Sequence, residues 1–199
     1  MERMKLEIKR QPSHILLGLL LVALVSYDLL TPIALSAAIV ILIAASFFVR
    51  KTKPRIVYDL LRFIEREEDL KYFPGRGLIN YLIGTLVVVL LFEKDIVLAS
   101  IMILAFGDSI SRLVGPFGKI KHPFNNKKFL EGIIAGFVAA SLGAMLFVRP
   151  YEAIAASFFA MLLEGFELML FRFKIDDNLT IPLISAAVIW VVRFLKLLL

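Results

Sequence analysis

Residues 96–115 read Ile-Val-Leu-Ala-Ser-Ile-Met-Ile-Leu-Ala-Phe-Gly-Asp-Ser-Ile-Ser-Arg-Leu-Val-Gly. The stretch from Ile96 to Phe106 carries no charge. Gly107-Asp108-Ser109 follows, and the apolar pattern resumes at Ile110, Leu113 and Val114. This predicts a helix that continues through Asp108 to Val114 and places Asp108 near a membrane edge. A carboxylate inside the hydrocarbon is costly, which makes it a functional candidate by default. The plain structural account of Asp108 is an ion pair with Arg112, one turn on. Gly107, Ser111 and Gly115 recur every four residues. Such a small-residue face permits close helix packing, and it also leaves room for a phosphate beside the carboxylate.

Six further apolar runs lie on either side of this one. They span Ile15 to Tyr27, Ile33 to Val49, Leu78 to Phe92, Ile133 to Val148, Ala153 to Phe171, and Leu179 to about Val192. Each approaches the length that a hydrocarbon core of about 30 Å demands of a helix. Composition agrees: 60% of residues are apolar and 20% charged, against roughly 45–50% and 25% in soluble domains. The predicted fold is all-α, a polytopic bundle of about seven spans. It forms one integral membrane domain over residues 1–199, with a charged segment at about 50–76 and a catalytic loop at about 107–132. The chain has no cysteine, which excludes disulfides, thiolate metal sites and a thiol nucleophile. A cleaved signal peptide is not expected, because the first apolar run passes straight into the second without a small-residue cleavage site.

Charge sets the orientation. With seven spans, nineteen of the 23 Lys and Arg fall on the side of the N-terminus, and only Lys94, Arg149, Arg193 and Lys196 fall on the other. The positive-inside rule makes the N-terminal side cytoplasmic. It also accounts for the net charge of +6 without a nucleic-acid partner.

The polar motifs collect on that same side. Residues 119–132 place Lys119, Lys121, Lys127 and Lys128 beside Asp108, suited to a polyphosphate because phosphoryl transfer needs positive charge where negative charge develops. The positive-inside rule explains the same lysines without chemistry, and for Lys119 and Lys121 we favour it. Lys128, Glu131 and Gly132 stand where a helix starts, and a helix N-terminus offers free N–H groups to phosphate. Phe73-Pro74-Gly75-Arg76-Gly77 marks a tight turn. Glu7, Arg10 and His14 share one helical face. Asp176-Asp177-Asn178 reads as a helix cap with first-turn acids, or as hard oxygen ligands for Mg²⁺. Glu164 and Glu167 lie three apart on one helix face.

Taken in order, these residues resemble the dolichol kinase and phytol kinase group of CTP-dependent lipid kinases. That group is a branch of the wider family that includes phosphatidate cytidylyltransferases. The resemblance rests on Glu7-x-x-Arg10-x-x-x-His14, Phe73-Pro74-Gly75-Arg76-Gly77, Gly107-Asp108-Ser109 through Gly115, Lys128-x-x-Glu131-Gly132, Glu164, and Asp177-Asn178-Leu179 with Ile181-Pro182. Gln11 stands where a lysine is common, and Phe129 where the family usually has Ser, which puts a loop hydroxyl on phosphate in question. The resemblance implies transfer of the γ-phosphate of CTP to the hydroxyl of a membrane lipid, a polyprenol, a dolichol or another isoprenoid alcohol. It implies Mg²⁺ held by Asp108 with Asp177, and Lys128 on phosphate oxygens. Glu131 or Glu164 would be the base. Gly75, Arg76, Gly77, Gly107, Lys127, Gly132, Arg10 and His14 would shape the nucleotide and phosphate pocket.

Three other readings use the same features. A cytidylyltransferase would attach CMP to a lipid phosphate, but its usual run of Lys-Asp followed by a Pro-Gly-His-Gly-Gly-type loop and Asp-x-x-Asp is missing from the sequence. A small ion-coupled transporter would use Glu164 and Glu167, but the two halves of the chain do not resemble each other. A non-catalytic scaffold leaves Asp108, Glu164 and Asp177 without a purpose. Topology is directly testable, because the chain has no background cysteine. Cysteine at Lys121 is expected to react with an impermeant thiol reagent only from the cytoplasmic side, and cysteine at Lys94 only from the opposite side. Labelling of both from one side overturns the seven-span arrangement.

Overall fold

A computed structural model of the chain describes residues 2–55, 57–58, 61, 67–123, 125–166, 169–170 and 173–198. The central element is a continuous helical rod from Lys94 to Phe117. It opens as α5 (Lys94–Met102), loosens into a π-helical turn (Ile103–Asp108), tightens again as α6 (Ser109–Val114) and ends in a 3₁₀ turn (Gly115–Phe117). Every side chain from Ile96 to Ala105 is buried. A helix that is apolar all round belongs at the centre of a bundle.

The other helices surround this rod. They are α1 (Glu2–Ser26), α2 (Pro32–Thr52), α3 (Glu67–Tyr72), α4 (Arg76–Leu91), α7 (Leu130–Ala144), α8 (Pro150–Gly165) and α9 (Asp177–Leu198). Helix α2 is sharply bounded. Pro32 occupies its first position, Thr31 caps it by accepting from the Ala34 amide at 3.2 Å, and Lys53 closes it at φ 46°. These are the residue types that start and stop helices. Three helices are long and apolar enough to cross a membrane, at Pro32–Thr52, Lys94–Phe117 and Asp177–Leu198. Arg10–Ser26, Arg76–Leu91 and Leu130–Ala144 are shorter apolar helices. Large apolar side chains face outward around the bundle, among them Phe47 and Phe48 on α2, Leu142 on α7, Phe158 on α8 and Trp190 on α9. An apolar outer surface of this extent suits contact with lipid or partner helices.

The structure departs from the predicted fold in four places. It is not purely helical: β1 (Lys121–His122) pairs antiparallel with β2 (Asn125–Phe129), and β3 (Met169–Leu170) pairs with β4 (Phe173–Lys174). The first hairpin turns at Pro123, in a stretch too polar to read as anything but loop. Second, α1 begins at Glu2, well before the apolar run at Ile15. Third, the run from Ala153 to Phe171 stops being helical at Gly165, where Phe166 is extended. Gly165 faces His122: a Cβ there would lie 2.8 Å from His122 Nε2, so the glycine lets the first hairpin dock on the end of α8. Fourth, the charged segment 50–76 holds the end of α2 and the short helix α3. Its residues 56, 59–60 and 62–66 lie outside the described residues.

The small-residue face of the rod is a packing seam. A Cβ at Gly132 would lie 2.6 Å from the Ser111 carbonyl oxygen. One at Gly136 would lie 2.6 Å from the Gly107 carbonyl oxygen, and one at Gly107 would lie 2.8 Å from Met161 Sδ. Glycines at these points let α7 approach the rod backbone to backbone. Gly136→Ala is therefore expected to destabilise the fold by about 1–3 kcal/mol, the cost of overpacking. Gly77 is the contrast, because a Cβ there meets nothing within 4 Å. Gly77→Ala is expected to leave thermal melting in detergent unchanged or slightly raised. Equal melting of the two variants overturns the seam.

Candidate active site

The polar side chains predicted along the chain converge at one end of the bundle. The rod contributes Asp108, Ser111 and Arg112, α8 contributes Glu164, α9 contributes Asp177, and α1 brings His14. Lys128 reaches in from β2. Asp108 closes the π-helical turn. Such turns admit an extra residue into a helix and are frequent at functional sites.

Arg112 links the two aspartates. Its Nε donates to Asp108 Oδ1 at 2.7 Å and its Nη2 to Asp177 Oδ2 at 2.9 Å. Asp108 is 3% exposed, and its other oxygen lies 3.7 Å from His14 Nε2, beyond hydrogen-bond length. The His14 ring leans on Tyr81 at 4.8 Å between centroids, and Arg10 stands one turn before it on α1.

Glu164 forms a second buried pair. Its Oε1 accepts from Lys128 Nζ at 3.0 Å and from the Ser111 hydroxyl at 3.2 Å. Lys128 also donates to the Glu164 backbone carbonyl. Glu164 Oε2 is buried and has no hydrogen-bond partner, so this carboxylate holds a cation on one oxygen and presents the other. Ser111 and Arg112 are adjacent, so the two ion pairs share one turn of α6.

The remaining predicted residues sit around this centre in different ways. Glu131 faces the loop: it accepts from the amides of Lys119 at 2.7 Å and Ile120 at 3.1 Å, which folds residues 118–120 back onto the start of α7. Gly107 and Gly132 belong to the packing seam. Gly75 caps α4 with φ 86°, a left-handed backbone that glycine adopts without strain. Arg76 is half-exposed and 3.7 Å from Asp69. Gly77 is tied to the site, since its carbonyl accepts from Asn178 Nδ2 at 3.0 Å. The side chain of Lys127 and the whole of Glu167 lie outside the described residues.

Asp108 and Asp177 fit Mg²⁺ only as a pair. Among the described residues no three His, Asp or Glu side chains converge as a metal set. Mg²⁺ commonly takes one or two carboxylates and completes its shell with substrate phosphates and water. Two aspartates meeting at one cationic group suit an ion that arrives on a nucleotide. Arg112 now supplies the positive charge between them.

The spacing predicts Arg112 as the i+4 partner of Asp108, but not its second arm to Asp177, 65 residues away, nor Ser111 on Glu164 or Asn178 on Gly77. No local spacing signals such contacts.

The chain belongs to the same family as an uncharacterized protein of Methanocaldococcus jannaschii, 34% identical over 187 residues that make up 92% of each chain. More distant relatives are CTP-dependent lipid kinases. The CTP-dependent diacylglycerol kinase 1 of Eremothecium gossypii is 28% identical over 137 residues, 55% of this chain and 42% of that one. The probable chloroplastic phytol kinase of Triticum aestivum is 34% identical over 100 residues, 49% of this chain and 32% of that one. The chain thus matches less than half the length of either kinase. No family model and no solved structure matches it.

The geometry makes Arg112 a structural hub. Arg112→Met leaves two carboxylates facing each other and is expected to cost about 3–5 kcal/mol. Adding Asp108→Asn is expected to recover part of that, so the double-mutant cycle shows a coupling of about 1 kcal/mol or more. Reversible SDS unfolding measures both quantities, and strict additivity overturns the bridge.

Proposed function

We propose that this protein transfers the γ-phosphate of CTP to the hydroxyl of a membrane lipid alcohol. The reaction takes place at the cytoplasmic end of a bundle that crosses the bilayer about seven times. The distant kinase relatives and the nineteen-to-four division of basic residues support the two halves of this reading. The observation that carries it is Glu164. A buried carboxylate with one oxygen on a lysine and the other unpartnered suits a base held next to a phosphate-binding cation.

The residues divide the work as follows. Lys128 turns from Glu164 to the oxygens of the transferring phosphate, where its charge stabilises the transition state. Glu164 Oε2 takes the proton of the lipid hydroxyl as its oxygen attacks the γ-phosphorus, the bond to the β-phosphate oxygen breaks, and CDP leaves. We assign this role to Glu164 rather than Glu131, whose carboxylate oxygens accept from loop amides. Asp108 and Asp177 would hold Mg²⁺ on the nucleotide, and the ion would neutralise charge on the phosphates. His14 and Arg10 line the Asp108 side, and Gly77, open beside Asn178, lies at the nucleotide end. The lipid tail enters sideways between helices from the inner leaflet. The acceptor is a primary alcohol on an apolar tail, an isoprenoid alcohol of polyprenol or dolichol type.

The test is purified protein in detergent with CTP labelled at the γ or the α position and a panel of dolichol, phytol and diacylglycerol. Lipid product is expected to carry γ label. Product carrying α label identifies a cytidylyltransferase and overturns the kinase. Asp108→Asn, Glu164→Gln and Lys128→Ala are each expected to lower turnover by roughly 10²-fold or more. Lys119→Ala and Lys121→Ala are expected to cost little, because exposed charges beyond a Debye length of about 8 Å are screened. Equal modest losses at Lys119, Lys121 and Lys128 reduce the loop to a diffuse basic patch.

A further inference from the structure

The opposite end of the bundle carries a second polar cluster. Asp95 stands in the first turn of the rod, and at 1.5 Å per residue it lies roughly 20 Å from Asp108. At this far end Arg193 is fully engaged by carboxylates. It contacts Asp95 at 2.6 Å, Glu152 at 3.1 Å and Glu93 at 3.4 Å. Arg149 and Lys196 are not. Both donate to the same Tyr151 hydroxyl, at 3.1 and 3.3 Å, and the Lys196 ammonium lies 5.1 Å over the Tyr151 ring. Among the described residues neither has a carboxylate within ion-pair reach. Two cations converging on one neutral oxygen repel each other, and an anion between them relieves that repulsion.

The surroundings define the anion. A cleft of about 760 Å³ opens beside the two cations, with Tyr151 and Leu197 in its walls; Asp95 and Glu152 also line it, and both are paired with Arg193. A second groove of about 400 Å³ is lined by Tyr151, Val192, Leu195 and Lys196. The two share Tyr151 and Lys196, so a cationic head site runs into an apolar trough along α9. This side of the chain carries only four of the 23 Lys and Arg, and three of them line the cleft. The positive-inside rule gives no reason for such a concentration on the depleted side.

We propose that this end of the bundle binds one anionic phospholipid. The phosphodiester sits between Arg149 and Lys196, and a hydrocarbon chain lies along Val192 and Leu195. The proposal rests on the chain lying in a membrane and not on the phosphoryl transfer at the other end.

Native mass spectrometry of the full chain released from detergent tests it. The probes are dioleoylphosphatidylglycerol, dioleoylphosphatidylcholine, soluble glycerophosphoglycerol and inorganic phosphate. One phosphatidylglycerol is expected to bind in preference to phosphatidylcholine. A surface-membrane cation contributes roughly fivefold in affinity, so Arg149→Gln with Lys196→Gln is expected to cost roughly 25-fold for phosphatidylglycerol and little for phosphatidylcholine. Leu195→Trp, which fills the trough and keeps both cations, is expected to weaken phosphatidylglycerol as well, and it decides the matter if the double variant does not fold. Equal affinity for the two lipids, or variants that keep the wild-type preference, overturns the proposal. Binding of glycerophosphoglycerol or phosphate as tight as that of the lipid means a free-anion site and overturns it too.

Discussion

The Arg112 guanidinium between Asp108 and Asp177 is the interaction on which the rest of the structure depends. A charge taken out of water is tolerated only when it is paired and hydrogen-bonded. Asp108 is 3% exposed, and its burial is acceptable because Arg112 meets it one turn on. The same guanidinium reaches Asp177 at the start of α9, so one side chain joins the central rod to the last helix. Ser111, its neighbour, joins the rod to α8 through Glu164. Three helices are thereby aligned at one end by polar contacts from two consecutive residues.

That alignment needs close helices, and glycine supplies the closeness. The seam of Gly107, Ser111 and Gly115 against Gly132 and Gly136 brings α7 onto the rod. Since β2 leads directly into α7, the seam also fixes where Lys128 starts and lets its ammonium reach Glu164. The glycines that suggested room for phosphate act on the site indirectly, by positioning the lysine. The π-helical turn at Ile103–Asp108 lies between the apolar half of the rod and its polar end, where the change of environment falls.

The two ends of the bundle solve the problem of buried charge differently. Near Asp108, cations and carboxylates alternate closely, and one carboxylate oxygen is left without a partner. At the far end Arg193 is surrounded by acids, while Arg149 and Lys196 share only a phenol. Paired charge with a spare acceptor suits chemistry on a proton. Unneutralised cations beside an apolar groove suit holding an anion that has a tail.

Much of the helical architecture was legible in the sequence, because apolar surroundings are a severe constraint on the chain. A helix buried in an apolar medium must be apolar along its length, so the runs at residues 33–49, 78–92 and 96–106 appear as helices. Local signals worked where the physics is local: the tight turn at Phe73–Gly77 and Arg112 one turn from Asp108. They failed where a distant part of the chain decides. The stop of α8 at Gly165 depends on His122 packing against it, and β1–β2 forms in a stretch whose composition reads as loop.

The sequence by itself determined the apolar helices and the set of polar residues available for chemistry, because each follows from hydropathy or spacing along the chain. Only the tertiary structure decided how those residues pair. Arg112 bridges to Asp177, Lys128 goes to Glu164, Glu131 turns to the loop amides, and Arg149 meets Lys196 across Tyr151. These pairings join helices whose contact is set by side-chain packing between segments tens of residues apart, and no periodicity within either segment encodes it.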